Sequence, residues 1–149
     1  MSAALHLAKP EDLDRLLTLV AAFHAEMAID STGESRKSAL APLLDGVPLG
    51  CVYLIGPARA PLGYIVLTFG WSVEFGGMDA FVDEIYIRPA VRKRGIASQV
   101  LIDLPKALAE GGLKAVHLEV DREDEATQRI YQRARFKPRE RYMLMTKTL

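Results

Sequence analysis

At 149 residues the chain is long enough to bury a real core without disulfides or a structural metal, and its length suits a single domain spanning residues 1–149. Half of the residues are hydrophobic and 26% are charged, with 19 basic against 19 acidic side chains and a formal net charge of zero. That is ordinary for a soluble globular protein and argues against a nucleic-acid partner, which usually shows a basic excess.

Leu5-His6-Leu7 alternates and predicts a short edge strand. Lys9-Pro10-Glu11-Asp12 opens a helix, with proline early and acids in the first turn where the helix dipole favours them. Leu13, Leu16, Leu17, Val20 and Met27 fall on one stripe, and His24 joins it four residues after Val20. A histidine on such a stripe reads first as a core or edge residue, with substrate contact the rarer alternative. After the polar break Asp30 to Ser35, a second helix through Ala39, Leu40, Leu43 and Leu44 ends near Asp45-Gly46. The apolar runs 50–55 and 62–69, separated by a Gly- and Pro-containing turn, predict an antiparallel hairpin. Cys51, the only cysteine, sits inside the first run and reads as buried filler; with no disulfide framework, a reducing, cytoplasmic setting is expected. Residues 70–77 are the least regular. Trp71, Glu74 and Phe75 stand there between glycines as candidate substrate-binding residues, with core anchoring of Trp71 and Phe75 an equal alternative.

Residues 81–104 organise the rest. They read as a strand, a turn opened by Pro89, a basic loop ending in Gly95, and a helix whose apolar positions Ile96, Val100, Leu101 and Leu104 recur at helical spacing. The amides of such a loop and of the first helical turn lack intrahelical partners, and the dipole adds positive charge where they point, so a phosphate or pyrophosphate fits. Gly95 permits a positive φ and close approach of a ligand, and Ala97 keeps the next turn small. Pro105 inside the helix predicts a kink, because it cannot donate to the carbonyl of Leu101. Gly111-Gly112 closes that helix, 115–120 predicts a short buried strand, 125–133 a helix, and 139–148 one or two final strands. No apolar run reaches the length of a membrane span and no signal-peptide pattern begins the chain, so no membrane association is expected.

The pattern Arg92-x-x-Gly95-x-Ala97, preceded by Ile85-Tyr86-Ile87-Arg88-Pro89 and followed by Tyr131 and Phe136, resembles the signature of the GNAT superfamily of N-acetyltransferases. The element order β-α-α-β-β-β-α-β-α-β-β is also that family's, so the resemblance covers nearly the whole chain; its specific part is 83–136. It implies an α/β (α+β) fold with a central mixed, mostly antiparallel sheet flanked by about four helices. It implies acetyl-CoA as co-substrate, with no metal, and a small-molecule or peptide amine as acceptor. The acceptor classes left open are small amine, polyamine, aminoglycoside and peptide N-terminus, and a homodimer also stays open.

By the same resemblance, the backbone of Ile85, Tyr86 and Ile87 holds the pantetheine arm and the acetyl carbonyl, acting as a preorganised oxyanion site. The loop Arg92, Lys93, Arg94, Gly95, Ile96, Ala97 and Ser98 holds the pyrophosphate, with Arg92 and Arg94 free to add charge-assisted contacts. An ammonium must lose a proton before it attacks, and Asp83 or Glu84 could assist. Adjacent strand residues face opposite sides, so only one should reach the cleft unless a bulge intervenes; Asp83, in phase with Ile85 and Ile87, is preferred. Tyr131 matches the family's tyrosine at the coenzyme sulfur, where a phenol can protonate the departing thiolate. Asp124, Thr127 and Arg135 stand where the family often has asparagine, alanine and glycine, which puts the local geometry of the Asp124 coenzyme contact in question. The alternative to catalysis is a non-catalytic acyl-CoA-binding sensor or regulatory module.

Overall fold

The computed structural model of the chain describes residues 4–149. Among these, the elements run β1 (Leu5–Leu7), α1 (Leu13–Glu26), α2 (Gly33–Leu44), β2 (Gly50–Ile55), β3 (Gly63–Ser72), β4 (Gly77–Ile87), α3 (Ile96–Glu110), β5 (Ala115–His117) and α4 (Glu125–Arg133), with single 3-10 turns at Pro10–Asp12 and Pro89–Val91. One sheet has the order β1-β2-β3-β4-β5, antiparallel throughout except for the parallel pair β4-β5. This is the expected α+β architecture of a mixed sheet with four helices.

The sheet is covered on both faces, which explains why its central strands are apolar almost residue by residue. Val52, Leu54, Tyr64, Val66 and Tyr86 face α1 and α2 and pack on Leu16, Leu19, Val20, Leu40 and Leu44. Ile55, Ile65, Leu67, Val82 and Ile87 face the other way, onto Val100, Leu101 and Leu104 of α3 and Ala134 beyond α4. Burying a side chain such as Leu16 or Leu101 contributes roughly 1.5–3 kcal/mol. Local chemistry sets the helix ends. Lys9 N donates to Asp12 Oδ2 before α1, and Thr32 accepts from Ser35 N–H at 3.0 Å at the start of α2.

α3 spans Ile96–Glu110 with Pro105 in its interior, which leaves the Leu101 carbonyl without an N–H from that position. Two features depart from expectation. The segment read as irregular from Gly70 is regular as far as Ser72, and only Val73–Gly76 forms the turn of a long β3–β4 hairpin, closed by Gly76 N–H on the Ser72 carbonyl. The final strands expected in 139–148 do not form: no strand is found beyond β5, and residues 139–149 are exposed. There Arg139 is engaged by Glu74 and by the rings of Phe75 and Tyr142, and Tyr142 N–H turns back on the Arg139 carbonyl. A strand-like composition does not suffice where no ladder is made. Among the described residues, no helix is long and apolar enough to cross a membrane.

Two irregularities position everything that follows. The β3–β4 register slips between Val66, which pairs with Glu84, and Leu67, which pairs with Val82, so Asp83 is the extra residue of a β-bulge. β5 pairs only with Asp79, Ala80 and Phe81, so β4 runs on to Ile87 with no partner on that side.

Arg135, just beyond α4, adopts φ +73°, a left-handed conformation that costs an L-residue roughly 1–2 kcal/mol. Its N–H on the Gln132 carbonyl and Phe136 N–H on the Tyr131 carbonyl hold it there. Arg135→Gly should therefore raise stability by about 1 kcal/mol, part of the relief being offset by the freer unfolded chain. Urea unfolding measures this, and an unchanged or lower midpoint would show that the turn is not strained.

Candidate active site

Where β4 and β5 part, a cleft of about 1020 Å³ opens. Its walls are residues 82–87 of β4, residues 118–121 after β5, the Arg92–Ser98 loop and helix start, the end of α1, and α4. The pyrophosphate candidate is local and backbone-built. Gly95 caps α3 at φ +77° with no side-chain hydrogen bond to the helix, so the amides of the first turn are not satisfied by a cap. An added Cβ at Gly95 would meet nothing within 4 Å, so conformation, not space, is what requires glycine there. Lys93 is also left-handed, at φ +64°, so the loop curls its main chain before the helix. Gly95, Ile96, Ala97 and Ser98 line the cleft; Arg94 is exposed and does not.

Arg92 has other engagements than a phosphate. Its Nε donates to the Ile87 carbonyl at 2.8 Å, its terminal nitrogen pairs with Glu26 at 2.8 Å, and its guanidinium lies 5.4 Å from the centre of the Tyr86 ring. It therefore staples the loop to the end of α1. Tyr86 in turn packs against Phe23 and Tyr64 at ring-centre distances of 5.9 and 6.1 Å, while Ile85 and Ile87 pack on the α3 side, and all three residues line the cleft.

The bulge decides how the two carboxylates stand. Val82 and Ile85, three positions apart, both pack on the α3 side, so the alternation that would send Asp83 and Glu84 to opposite faces is broken between them. Both line the cleft. Asp83 touches solvent there, yet the crowded wall raises its pKa, through burial first and then through the charges of Glu84 and Glu119, with His24 acting the other way. Glu84 is met from the α1 side: Tyr64 donates to Oε1 at 2.8 Å and His24 Nε2 lies 2.6 Å from Oε2. Burial, and then Glu84, push the Tyr64 phenol far above its ordinary range.

On the opposite wall, α4 carries Tyr131 into the cleft beside Phe136, 6.2 Å away between ring centres. Burial, then the Asp124 charge, raises the Tyr131 pKa, so the phenol keeps its proton at neutral pH. Asp124 is the N-cap of α4: its carboxylate accepts from Thr127 N–H at 3.1 Å and from the Thr127 hydroxyl at 2.6 Å. It borders the cleft while committed to the helix.

Trp71, Glu74 and Phe75 are not brought to this cleft. Trp71 is 76% exposed near the hairpin tip, about 16 Å up the strand from Asp83 at 3.3 Å per residue. Glu74 pairs with Arg139, and Phe75 lies against His117 and Arg139. Asp79 is likewise taken, by His117 at 3.1 Å. In their place the structure supplies Glu26 and Glu119 on the cleft wall, with His24 and Tyr64 behind it in contact with Glu84. His24 was visible on its helical stripe, but the contact with Glu84 spans sixty residues of sequence and depends on the sheet register. Tyr64 was hidden inside an apolar run.

Comparison with known proteins agrees with the fold. The family model described as the Acetyltransferase (GNAT) family matches residues 21–136. An integron cassette protein from the mobile metagenome of Cole Harbour salt marsh has a similar structure, with TM-score 0.83 and 29% identity over 97% of this chain and 90% of that one. An aminoglycoside acetyltransferase from an uncultured soil metagenomic sample, solved in complex with sisomicin, superposes with TM-score 0.81 at 14% identity, covering 99% of this chain and 96% of that one. A ribosomal-protein-alanine N-acetyltransferase from Brucella melitensis biovar Abortus 2308 does so with TM-score 0.75 at 16% identity, covering 99% of both. At such identities the last two show a shared fold. No curated protein matches the chain in sequence.

The α4 cap yields a stability test. The hydrogen bonds from Thr127 hold the Asp124 carboxyl below its ordinary value of 3.8, so its stabilisation is present above that value and is lost as the pH falls through the lower folded-state value. Asp124→Ala should cost about 1 kcal/mol at pH 7, with the difference from wild type shrinking below about pH 4, whereas Asp124→Asn keeps the cap without that acid dependence. Urea midpoints across pH measure it; a constant difference down to pH 2 would remove the cap from the account.

Proposed function

The chain belongs to the acetyltransferase (GNAT) family, and from that premise we propose that it transfers an acetyl group from acetyl-CoA to a primary amine by direct attack in a ternary complex, all within one domain spanning 1–149. The observation that carries this reading is the convergence, in one cleft, of an uncapped helix start at Gly95, an unpartnered strand edge at 82–87, and titratable groups on both walls. The residues present fit the coenzyme. The free amides after Gly95 suit a diphosphate, and the open β4 edge suits an amide-bearing arm laid alongside it. When bound, acetyl-CoA supplies the thioester whose acetyl group is transferred.

The remaining work falls to the chain's own groups. Ile85 to Ile87 line the cleft beyond the last pairing with β5, and their main chain can offer hydrogen-bond donors where carbonyl oxygen gains charge. Asp83 is the general base: it takes a proton from the acceptor's ammonium, directly or through one water, leaving the amine lone pair free to attack. Its raised pKa suits that task better than an ordinary aspartate. Tyr131, protonated at neutral pH, donates its hydroxyl proton at the opposite wall, where a thiolate leaves. The acceptor is a cationic small molecule. Glu26, Asp83, Glu84 and Glu119 crowd the cleft and attract one, and a structural relative binds the aminoglycoside sisomicin.

Two measurements test the roles. Coenzyme A at a hundred times its Kd should stabilise the protein by about 2.7 kcal/mol in wild type and in Tyr131→Phe alike, while Tyr131→Phe loses about 10²–10⁴ of kcat. A Tyr131→Phe enzyme with full kcat would dismiss the acid. Because Asp83 is protonated at a higher pH than an ordinary aspartate, the acid limb of kcat/KM should lie above 3.8 and disappear in Asp83→Asn, with a similar loss of rate. If the limb survives in Asp83→Asn, the base is another group.

A further inference from the structure

Glu84 sits at the end of a one-way chain of hydrogen bonds. Arg36 of α2 can only donate, and its guanidinium holds both the Ser31 hydroxyl, at 2.9 Å, and the Ser31 carbonyl, at 3.0 Å. The Ser31 hydroxyl therefore accepts from Arg36, and its own hydrogen is left for His24 Nδ1, 2.7 Å away. An ionised carboxylate can only accept, so Nε2 carries the imidazole hydrogen and donates it to Glu84 Oε2 at 2.6 Å. Tyr64 donates to the other oxygen at 2.8 Å. Each Glu84 oxygen thus takes one donor and keeps a lone pair, and the plane of the carboxylate is fixed from two elements, α1 and β3.

The charge balance of this arrangement is incomplete. The side chains of His24 and Glu84 are only 13% and 17% exposed, and the groups that touch the Glu84 carboxylate are the His24 imidazole and the Tyr64 phenol, with no lysine or arginine among them. Arg36 spends its charge on Ser31, and Arg92 spends its charge on Glu26. A mostly buried carboxylate beside a cleft, with no lysine or arginine paired to it, has room for a cation from outside the chain. Resting on the transferase reading above, we propose that Glu84 receives the acceptor's ammonium, and that His24 is its positioning residue, fixing the carboxylate and tying it through Ser31 and Arg36 to the start of α2. The labour of the acidic pair is then divided: Glu84 holds the cation and Asp83 takes its proton.

The test uses the full chain with spermidine, kanamycin and alanine amide as acceptors. Loss of one hydrogen bond to a charged group is worth roughly 10- to 100-fold, so His24→Ala should raise the KM of the best acceptor by that factor, leaving kcat and coenzyme A affinity within about threefold. His24→Gln, whose amide can donate toward Glu84, should restore most of the loss; His24→Asn, which mimics only the Nδ1 side, should not. An unchanged acceptor KM in His24→Ala, a fall in kcat alone, or a folded His24→Gln no better than Ala would each overturn the positioning role. Nitrogen NMR of the imidazole gives a readout independent of turnover and of the variants' folding. The Nε2–H tautomer is expected, with resonances that move on saturation by spermidine; the other tautomer, or unmoved resonances, overturns the proposal. Absence of coenzyme A binding by wild type would instead strike the transferase reading, whatever the imidazole shows.

Discussion

The structure turns on the parting of β4 from β5. A parallel pair of strands normally continues as long as both have residues to offer, because each unpaired amide in a sheltered place carries a cost. Here the ladder stops at Phe81 while β4 continues to Ile87, and the strand after the gap has main-chain groups that face open space. Two local features accompany the separation. The bulge at Asp83 adds twist two residues after the last paired residue, and β5 ends at His117 so that 118–121 can swing away as the far wall. Without that gap, Gly95 would cap an ordinary helix and Tyr131 would be an ordinary core aromatic.

The two sides of the cleft are tied by one residue whose sequence position suggests a different role. Arg92 belongs to the basic loop, and on charge alone it points to a phosphate. Its guanidinium instead spans the end of β4, Glu26 of α1 and the ring of Tyr86. Tyr86 belongs to the aromatic cluster with Phe23 and Tyr64, and Tyr64 holds Glu84. The basic loop and the wall that holds the carboxylates are therefore braced against each other. Because the Glu26 pair is about two-fifths exposed, the ion pair itself contributes no more than about 1 kcal/mol; the stacking and the bond to the Ile87 carbonyl keep Arg92 in place.

Much of this was legible in the sequence, and the reason differs by element. The helix after Gly95 and the helix 125–133 announce themselves by local spacing, caps and glycine, which depend on residues within a turn or two of one another. The β2–β3 hairpin is equally local. What stayed hidden depends on register and long-range pairing. Residues 139–148 have strand-forming side chains but find no ladder, because Arg139 turns toward Glu74 and Phe75. The glycines around Trp71 suggest a binding loop, yet β3 runs past Gly70 to Ser72 and β4 begins at Gly77, which carries the tryptophan close to the tip of a hairpin. The partnership of His24 with Glu84 lies between a helix and a strand brought together only by packing, so no short-range pattern could reveal it.

The acidic pair shows why an irregularity can matter more than the regular frame around it. On an ideal strand, Asp83 and Glu84 would point to opposite faces, and only one could serve the cleft. The bulge removes that choice, for the extra residue puts Asp83 in the gap while Glu84 keeps its place opposite Val66 and beneath His24. Their surroundings then diverge. Asp83 lies among other acids in a crowded wall, which makes it easier to protonate, whereas Glu84 has each oxygen met by a side chain, His24 on one and Tyr64 on the other. Two like groups at adjacent positions become suited to different tasks once their environments differ, one to accept a proton and one to hold a charge. A single inserted residue in the β4 ladder is thus sufficient to turn a structural strand into a wall that presents both carboxylates, each in its own environment.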